Sequence, residues 1–271
     1  MEFKEKQFDG PYEVAEIEIH NEGQIFRGMQ YFPPKSFKKP YPVILYFHGF
    51  PHLFTLKEIV KAHQFLLDMG YCFIVFNFRG YRFSEGQVSI KSQLSDSKEI
   101  IKFVELMAKR EVFKNSDINI IAHDFGAYIA IILCSQIDFI NKLILISPIL
   151  DLIRHVNNVD FKKALNYINR FLPGNVRGIE NIEDFIEMTK TELKNQEFQI
   201  EKSISKLSVK KLKIIIGKED KITPLNELYS MIQKVKLEPS ILVVNGMDHD
   251  LVEESNIDLI NIELKEFFRI N

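Results

Sequence analysis

Four short segments carry residue types that could support nucleophilic catalysis at one edge of a sheet. The first spans 118–134, INIIAHDFGAYIAIILC, where a β-branched run stops and a small-residue-rich apolar helix pattern follows. A strand that turns sharply into a helix presents its apex side chain, and close backbone contacts require small residues two positions to either side. Ala122 and Gly126 meet that requirement around Asp124. Asp124 is therefore a candidate nucleophile, and the alternative is that it only caps the helix.

The second segment is a glycine-containing loop, HGFP at 48–51, directly after the apolar run PVILYF. Such a loop could aim the N–H of Phe50 at a developing oxyanion, with the N–H of Phe125 as the second donor. The alternative is a tight turn between a strand and a helix. His48 is a candidate substrate-binding residue in the same loop.

The third and fourth segments supply an acid and a histidine. GKEDKITP at 217–224 follows the run LKIII, and Asp220 is the better candidate there for orienting a histidine, with Glu219 adjacent. NGMDHDL at 245–251 follows ILVV and carries His249, which is placed like a general base. The carboxyl ends of parallel strands lie at one edge of a sheet, so we expect Asp124, Asp220 and His249 to meet there.

The elements that must position these side chains alternate between strands and helices. Alternating apolar and polar residues at 14–19 and 25–32, with a turn between them, predict a hairpin. Continuous apolar runs predict buried strands at 42–47, 71–78, 118–122, 142–146, 212–216 and 241–244. Helical patterns occupy 56–69, 92–109, 125–134 and 254–270. This order predicts an α/β fold with a mostly parallel, eight-stranded sheet covered by helices on both faces.

One interval, 151–208, has no strand pattern but helical patterns at 159–171 and 182–194. We expect residues 1–150 and 209–271 to form the core and 151–208 to form a small helical cap over the strand ends, where ligands bind. Tyr167 in this cap is a second candidate substrate-binding residue. Some apolar cap residues are expected to line an apolar pocket, from the set Phe161, Leu165, Ile168, Phe171, Phe185 and Ile186.

The composition narrows the expected partners. Lys and Arg number 35 and Asp and Glu 37, a formal charge of −2, which gives no reason to expect nucleic acid or an anionic membrane surface. Cys72 and Cys134 lie in apolar patterns and predict buried free thiols. No motif implies a metal, nucleotide or flavin, so we expect a small-molecule substrate without a cofactor. The charged N-terminus and the lack of a long apolar run favour a soluble, cytoplasmic protein, and the oligomeric state stays open.

Taken together, these segments resemble the α/β-hydrolases over nearly the whole chain. The order nucleophile, acid, histidine falls on Asp124, Asp220 and His249. The segment FRGYRFSEG at 78–86 is similar to the RGxGxSxG segment of peptidase-like and esterase-like members. HGFP and HDFGA resemble epoxide hydrolases, and more loosely dehalogenases, in which aspartate is the nucleophile. In some members the acid follows the strand before the cap, where this chain has Asp151, so that assignment stays open.

An aspartate nucleophile implies a different reaction from that of serine. A carboxylate with a reference pKa near 3.9 is ionised at neutral pH and can attack a saturated carbon directly. The product is an alkyl ester on Asp124, which water activated by His249 would then hydrolyse. Haloalkane dehalogenases typically hold the halide with Trp, and this chain has none. Epoxide hydrolases typically use two cap tyrosines, of which only Tyr167 is available.

Three hypotheses therefore remain. The first is a hydrolase that acts on a small apolar substrate, epoxide-like, through a covalent Asp124 ester. The second is an acyl-hydrolase relative whose serine is replaced by aspartate, with weak or altered activity. The third is a ligand-binding member of the fold without turnover.

Overall fold

A computed structural model describes residues 7–235, 238–250 and 254–269. The N-terminal residues 1–6 and the predicted ends of the last loop and helix, Leu251 and Ile270, lie outside the described residues. The described strands are β1 (Gln7–Asp9), β2 (Tyr12–Asn21), β3 (Gln24–Tyr31), β4 (Tyr41–Phe47), β5 (Cys72–Asn77), β6 (Phe113–His123), β7 (Lys142–Ile146), β8 (Lys211–Gly217) and β9 (Ser240–Val244).

These strands form one sheet in the order β1-β2-β3-β5-β4-β6-β7-β8-β9. The pairs β1–β2, β2–β3 and β3–β5 are antiparallel, and all remaining pairs are parallel. The mostly parallel sheet is therefore confirmed. The expected number of eight strands was short by one, because β1 adds a three-residue edge strand.

Helices cover both faces of this sheet. The described α-helices are α1 (Leu56–Ala62), α2 (Gln64–Asp68), α3 (Ile90–Lys109), α4 (Phe125–Cys134), α5 (Leu152–Asn157), α6 (Val159–Phe171), α7 (Ile182–Glu192), α8 (Ile200–Ile204), α9 (Leu225–Ile232) and α10 (Glu254–Phe268). A 3₁₀ turn, Gln196–Phe198, precedes α8. Within the described ranges, none of the helices has the length and apolarity that a bilayer crossing requires. The cytoplasmic location stays a prediction.

Alternate residues of the central strands face two separate layers of helices. In β4, Val43, Leu45 and Phe47 pack in the same core as α3 and α4. Ile44 and Tyr46 pack on the other face, in the core that contains residues of α1, α2 and α10. Burial on both faces explains why these strands read as continuous apolar runs. Cys72 and Cys134 are buried free thiols, as predicted.

The helices between β7 and β8 are more numerous than the sequence pattern indicated. The pattern predicts two helices at 159–171 and 182–194, whereas α5 and α8 are also present. The connection between α6 and α7 is hydrogen-bonded to the loop that follows β5: the N–H of Arg177 donates to the carbonyl oxygen of Gly80 at 2.7 Å, and the N–H of Val88 donates to that of Arg177 at 3.0 Å. The division into a core and a cap stays a prediction.

Candidate active site

The turn between β6 and α4 holds Asp124 in an unusual backbone conformation. Its φ of 53° lies in the left-handed region, which non-glycine residues seldom adopt. A Cβ at Gly126 would lie 2.3 Å from the carbonyl oxygen of Phe47, so only glycine lets the backbones approach so closely. A Cβ at Gly49 would lie 2.5 Å from Asp124 Oδ2. The glycines on either side therefore leave room for the Asp124 carboxylate at the strand ends.

The carboxylate of Asp124 connects to two of the groups that the sequence singles out. Its side chain makes no hydrogen bond to the first turn of α4, so Asp124 is not a side-chain cap of that helix. Oδ2 accepts the N–H of Phe50 at 2.6 Å, and Oδ1 lies 3.0 Å from His249 Nε2. The other ring nitrogen of His249, Nδ1, lies 2.8 Å from Asp220 Oδ2. The structure thus brings Asp124, His249 and Asp220 together in one buried chain of hydrogen bonds.

Two charges of opposite sign stabilise each other in this chain. Burial alone would raise the pKa of Asp124, but the hydrogen bond and charge of His249 lower it to about 2. Burial alone would lower the pKa of His249, but its hydrogen bonds to Asp124 and Asp220 raise it to about 10. At neutral pH His249 is therefore an imidazolium between two carboxylates.

The loop after β8 holds Asp220 in place. Asp220 Oδ1 accepts the N–H groups of Ile222 at 2.9 Å and Thr223 at 2.8 Å, which leaves Oδ2 for His249. The hydroxyl of Thr223 donates to the carbonyl oxygen of Pro148 at 2.7 Å, which ties this loop to the segment after β7. Backbone donors on one oxygen fix the orientation of the carboxylate toward the histidine.

The other acidic candidates lie elsewhere. Asp151 accepts the N–H of Arg154 at 2.8 Å and caps α5. Glu219 is exposed, and its N–H donates to the carbonyl oxygen of Met247 at 3.0 Å. Neither carboxylate contacts His249 in the way that Asp220 does, so the geometry favours Asp220 as the partner of the histidine.

Neither candidate substrate-binding residue belongs to the lining of the apolar cavity beside Phe50 and Phe125. His48 is buried behind the loop, with Nδ1 2.9 Å from the carbonyl oxygen of Gly49 and its ring stacked on His52 at 4.6 Å. Tyr167 is 55% exposed on the outer face of α6, against Phe171. The positions of these two residues do not support the expectation that they bind substrate. The His48 ring already contacts Gly49 and His52, and the Tyr167 side chain faces solvent.

An apolar cavity lies among the loop of Phe50, the start of α4 and the helices that follow β7, and its lining does not include the side chains of Asp124, Asp220 or His249. Its lining includes the rings of Phe50, Phe125, Phe161 and Phe185, together with His155. The cavity measures about 10 Å³, which is room for about one water molecule. Phe50 and Phe125 therefore contribute apolar rings to this cavity. The sequence predicted a different role for them, with their backbone N–H groups as oxyanion donors.

His155 is the residue of this site that the sequence pattern missed. It is 7% exposed, lines the cavity, and its ring centroid lies 6.3 Å from that of His249. Nothing in the short segment DLIRH marks it, because α5 is only six residues long and its orientation depends on tertiary packing. Among the residues with described placement, no group of three or more His, Cys, Asp or Glu side chains could hold a metal ion.

Comparison with known proteins places this arrangement in a family. A family model described as alpha/beta hydrolase fold matches residues 42–178, which is just over half of the chain. The chain belongs to the α/β-hydrolase fold family. The match begins in β4 and includes the loop of Phe50 and the turn at Asp124, and the order of elements around them agrees with the predicted fold class.

Individual relatives of this α/β-hydrolase include a lipase and several esterases. Lysophosphatidylserine lipase ABHD12 of Danio rerio is 27% identical over 144 residues, which cover 52% of this chain and 35% of the lipase. The match therefore spans about a third of the lipase's length.

Among solved structures, the ferulic acid complex of Est1E from Butyrivibrio proteoclasticus has a TM-score of 0.71 at 18% identity, covering 93% of this chain and 97% of Est1E. The esterase Pf2001 from Pyrococcus furiosus has a TM-score of 0.68 at 18% identity, covering 94% and 90%. At these identities the solved structures show the fold alone. Family and relatives together support a hydrolase.

Proposed function

We propose that this α/β-hydrolase attacks a small, uncharged, apolar electrophile with Asp124 and forms a covalent alkyl ester, with an epoxide as the substrate class. The observation that carries the proposal is the unequal environment of the two carboxylate oxygens. Oδ2 is held by the N–H of Phe50, whereas Oδ1 faces His249. Oδ1 is then the attacking oxygen, and Oδ2 becomes the carbonyl oxygen of the ester.

This arrangement suits the second half of the reaction. Water that attacks the carbonyl carbon of Asp124 places negative charge on Oδ2, which already lies 2.6 Å from the Phe50 N–H. The N–H of Phe125, in the first turn of α4, is the second proposed donor. The oxyanion is thus formed on the enzyme's own side chain, where the donors are preorganised.

Proton transfer in the cycle can be assigned to His249. Alkylation neutralises Asp124 and removes one of the two anions that raise the pKa of the imidazolium. The pKa of His249 then falls, and its proton can neutralise the oxygen released from the opened epoxide. Neutral His249, still oriented by Asp220, then removes a proton from the attacking water.

The cavity supports an apolar substrate and a moving cap. Four phenylalanine rings line it, and it has room for about one water molecule. A substrate of several carbon atoms would therefore require the helices over the site to separate from the sheet before it binds.

Acyl hydrolysis is the second candidate, and the relatives named as esterases and a lipase favour it. An ester carbonyl would need the Phe50 N–H as oxyanion donor, but that N–H is bonded to Asp124 Oδ2. Attack of a carboxylate on an ester would also give an anhydride, which is a costly intermediate. The carboxylate therefore weighs against this route.

The direct test is intact-protein mass spectrometry after brief exposure to a panel of epoxides and aryl esters. The proposal predicts the mass of one epoxide on the peptide that contains Asp124. The adduct should be absent from Asp124→Ala. In His249→Ala it should form more slowly, with the proton for the epoxide oxygen taken from water, and should then persist because water is no longer activated.

Asp220→Asn and Asp151→Asn form a matched pair in this assay. The first should slow release of the adduct, whereas the second should leave release unchanged. Ester turnover that survives Asp124→Ala, without any epoxide adduct, would remove Asp124 from the role of nucleophile.

A further inference from the structure

His155 is a buried polar side chain with unused hydrogen-bonding capacity. Neither ring nitrogen, Nδ1 nor Nε2, has a hydrogen-bond partner, although the residue is only 7% exposed. Buried polar atoms nearly always have a hydrogen-bond partner, so two buried nitrogens without one require an explanation. The hydroxyl of Thr189, another polar residue of the cavity lining, donates to the carbonyl oxygen of Phe185 at 2.9 Å.

The position of His155 is fixed relative to the triad. The backbone N–H of His155 donates to the carbonyl oxygen of Asp151 at 3.0 Å, at the start of α5. Arg154 pairs with Glu227 at 2.5 Å and donates to the carbonyl oxygen of Ile222 at 2.7 Å. Because Ile222 also donates to Asp220, the helix that carries His155 is tied to the loop that orients His249.

The surroundings define what His155 can bind. Its ring centroid lies 4.4 Å from that of Phe161, and burial lowers its pKa to about 4. A neutral imidazole offers one N–H donor and one acceptor nitrogen. It suits an uncharged oxygen better than a carboxylate or phosphate.

We propose that His155 donates a hydrogen bond to the epoxide oxygen, which is bonded to the carbon that Asp124 attacks. This hydrogen bond selects hydrocarbon epoxides as substrates. This inference rests on the proposed Asp124 ester and extends it to substrate selection. Asp124 would contact the carbon from the sheet side, while His155 would contact the oxygen from the side of α5.

The reaction balances without a change in the protonation of His155. A bond forms between Asp124 Oδ1 and the substrate carbon, and the carbon–oxygen bond of the epoxide breaks with its electron pair moving to oxygen. His249 supplies the proton that completes the hydroxyl group. His155 contributes a hydrogen bond that strengthens as charge develops on the oxygen.

The test compares single-turnover alkylation of Asp124 by styrene oxide in the wild type, His155→Phe and His155→Gln. His155→Phe keeps an aromatic ring beside Phe161 but removes both nitrogens, and we expect alkylation to slow by about 10- to 100-fold. His155→Gln retains a donor and should recover most of the rate. Styrene, which lacks the oxygen, should bind wild type and His155→Phe with affinities within about twofold of each other.

Thermal unfolding completes the design. His155→Phe should unfold at the same or a higher temperature than the wild type, because an apolar ring replaces an unpaired imidazole in an apolar site. Alkylation of His155→Phe at the wild-type rate would overturn this inference while leaving the Asp124 ester intact. A wild type that no epoxide alkylates would instead overturn the proposed function, and the role of His155 with it.

Discussion

Asp124 lies where an α/β-hydrolase of the serine type would present a hydroxyl group, but its carboxylate makes contacts that a hydroxyl could not make together. One oxygen accepts a hydrogen bond from the Phe50 N–H, and the other contacts His249 Nε2. A serine at the same turn would have only one oxygen, so the Phe50 N–H would become free. The identity of this one side chain therefore decides which oxygen the backbone donor stabilises.

Asp124→Ser should convert the site toward acyl transfer. The substitution frees the Phe50 N–H for an ester carbonyl and removes the anion that keeps His249 protonated, so the histidine can act as a base at neutral pH. We expect hydrolysis of p-nitrophenyl acetate to exceed that of the wild type by at least about tenfold, with loss of epoxide alkylation. Asp124→Ala is the control, and an equal gain in both variants would contradict the explanation.

The Asp124–His249 pair should also give stability a specific pH dependence. The pKa of His249 is raised from 6.5 to about 10, so its contribution is complete below pH 6.5 and is lost as pH rises toward 10. The pKa of Asp124 is lowered from 3.8 to about 2, so its contribution is complete above pH 3.8 and is lost as pH falls toward 2.

Thermal unfolding of wild type and Asp124→Asn from pH 5 to pH 10 measures this effect. The wild type should unfold about 5 °C higher near pH 6, and the difference should shrink steadily as pH approaches 10. A difference that does not vary over this range would show that the pair contributes nothing through charge.

At the scale of elements, the approach of two loops sets the distance between histidine and acid. A Cβ at Gly217, the last residue of β8, would lie 2.1 Å from the carbonyl oxygen of Met247 and 2.4 Å from that of Asp248. The loop that carries His249 therefore crosses directly over the strand end that leads to Asp220. A glycine is required at this crossing for steric reasons rather than for its φ.

Gly217→Ala should displace His249 while the sheet remains folded. We expect turnover of an epoxide substrate to fall by about 100-fold, because a shift of about 1 Å at a catalytic group has effects of that size. Gly246→Asn is the matched control in the same loop, since a Cβ there meets no atom within 4 Å and Asn tolerates the φ of 75°. Similar losses in both variants would mean that loop stability, and not the crossing, matters.

The elements that sequence predicts well are those with strong local periodicity. The buried strands are recognisable because both faces are covered, and the turn at Asp124 is recognisable because its small residues have fixed spacing. The helix expected over 56–69 is two helices that meet at His63, where Nδ1 lies 2.9 Å from the carbonyl oxygen of Ile59. Helix α9 was not predicted, because it is short and begins directly after Pro224.

Side-chain direction is harder to predict than the elements. The buried face of α6 consists of Phe161, Leu165 and Ile168, and Tyr167 lies off that face. His155 could not be found from sequence because its place depends on how α5 packs. The proximity of Asp220 and His249 was predictable because both residues directly follow strands, whose ends meet at a common edge.

At the scale of the whole molecule, Arg177 links the connection between α6 and α7 to the loop that follows β5. Its Nε donates to the carbonyl oxygen of Gly86 at 3.2 Å, and a terminal nitrogen donates to that of Arg82 at 3.0 Å. These bonds join the α6–α7 connection to the loop after β5. Because the cavity has room for about one water molecule, such contacts would oppose the opening that the proposed substrate requires.

Arg177→Ala should therefore make the site more accessible. Loss of two hydrogen bonds increases the open fraction by about tenfold, so alkylation at low epoxide concentration should accelerate by a similar factor. The measurement is the second-order rate of adduct formation for a bulky epoxide. Arg170→Ala, which removes an exposed side chain stacked on Phe171, should leave the rate unchanged. A slower reaction in Arg177→Ala would show that the attachment helps to form the site.

The two Asp124 oxygens have different hydrogen-bond partners, and this difference has an isotopic consequence for the proposed cycle. The first diol leaves with the original Oδ1, and an oxygen from water takes its place in the carboxylate. Oδ2, retained by the Phe50 N–H at 2.6 Å, stays in the protein. In water labelled with heavy oxygen, the enzyme would hold one heavy atom and never two, however many times it turned over. The first diol from each molecule would be light, and every later one would carry the label.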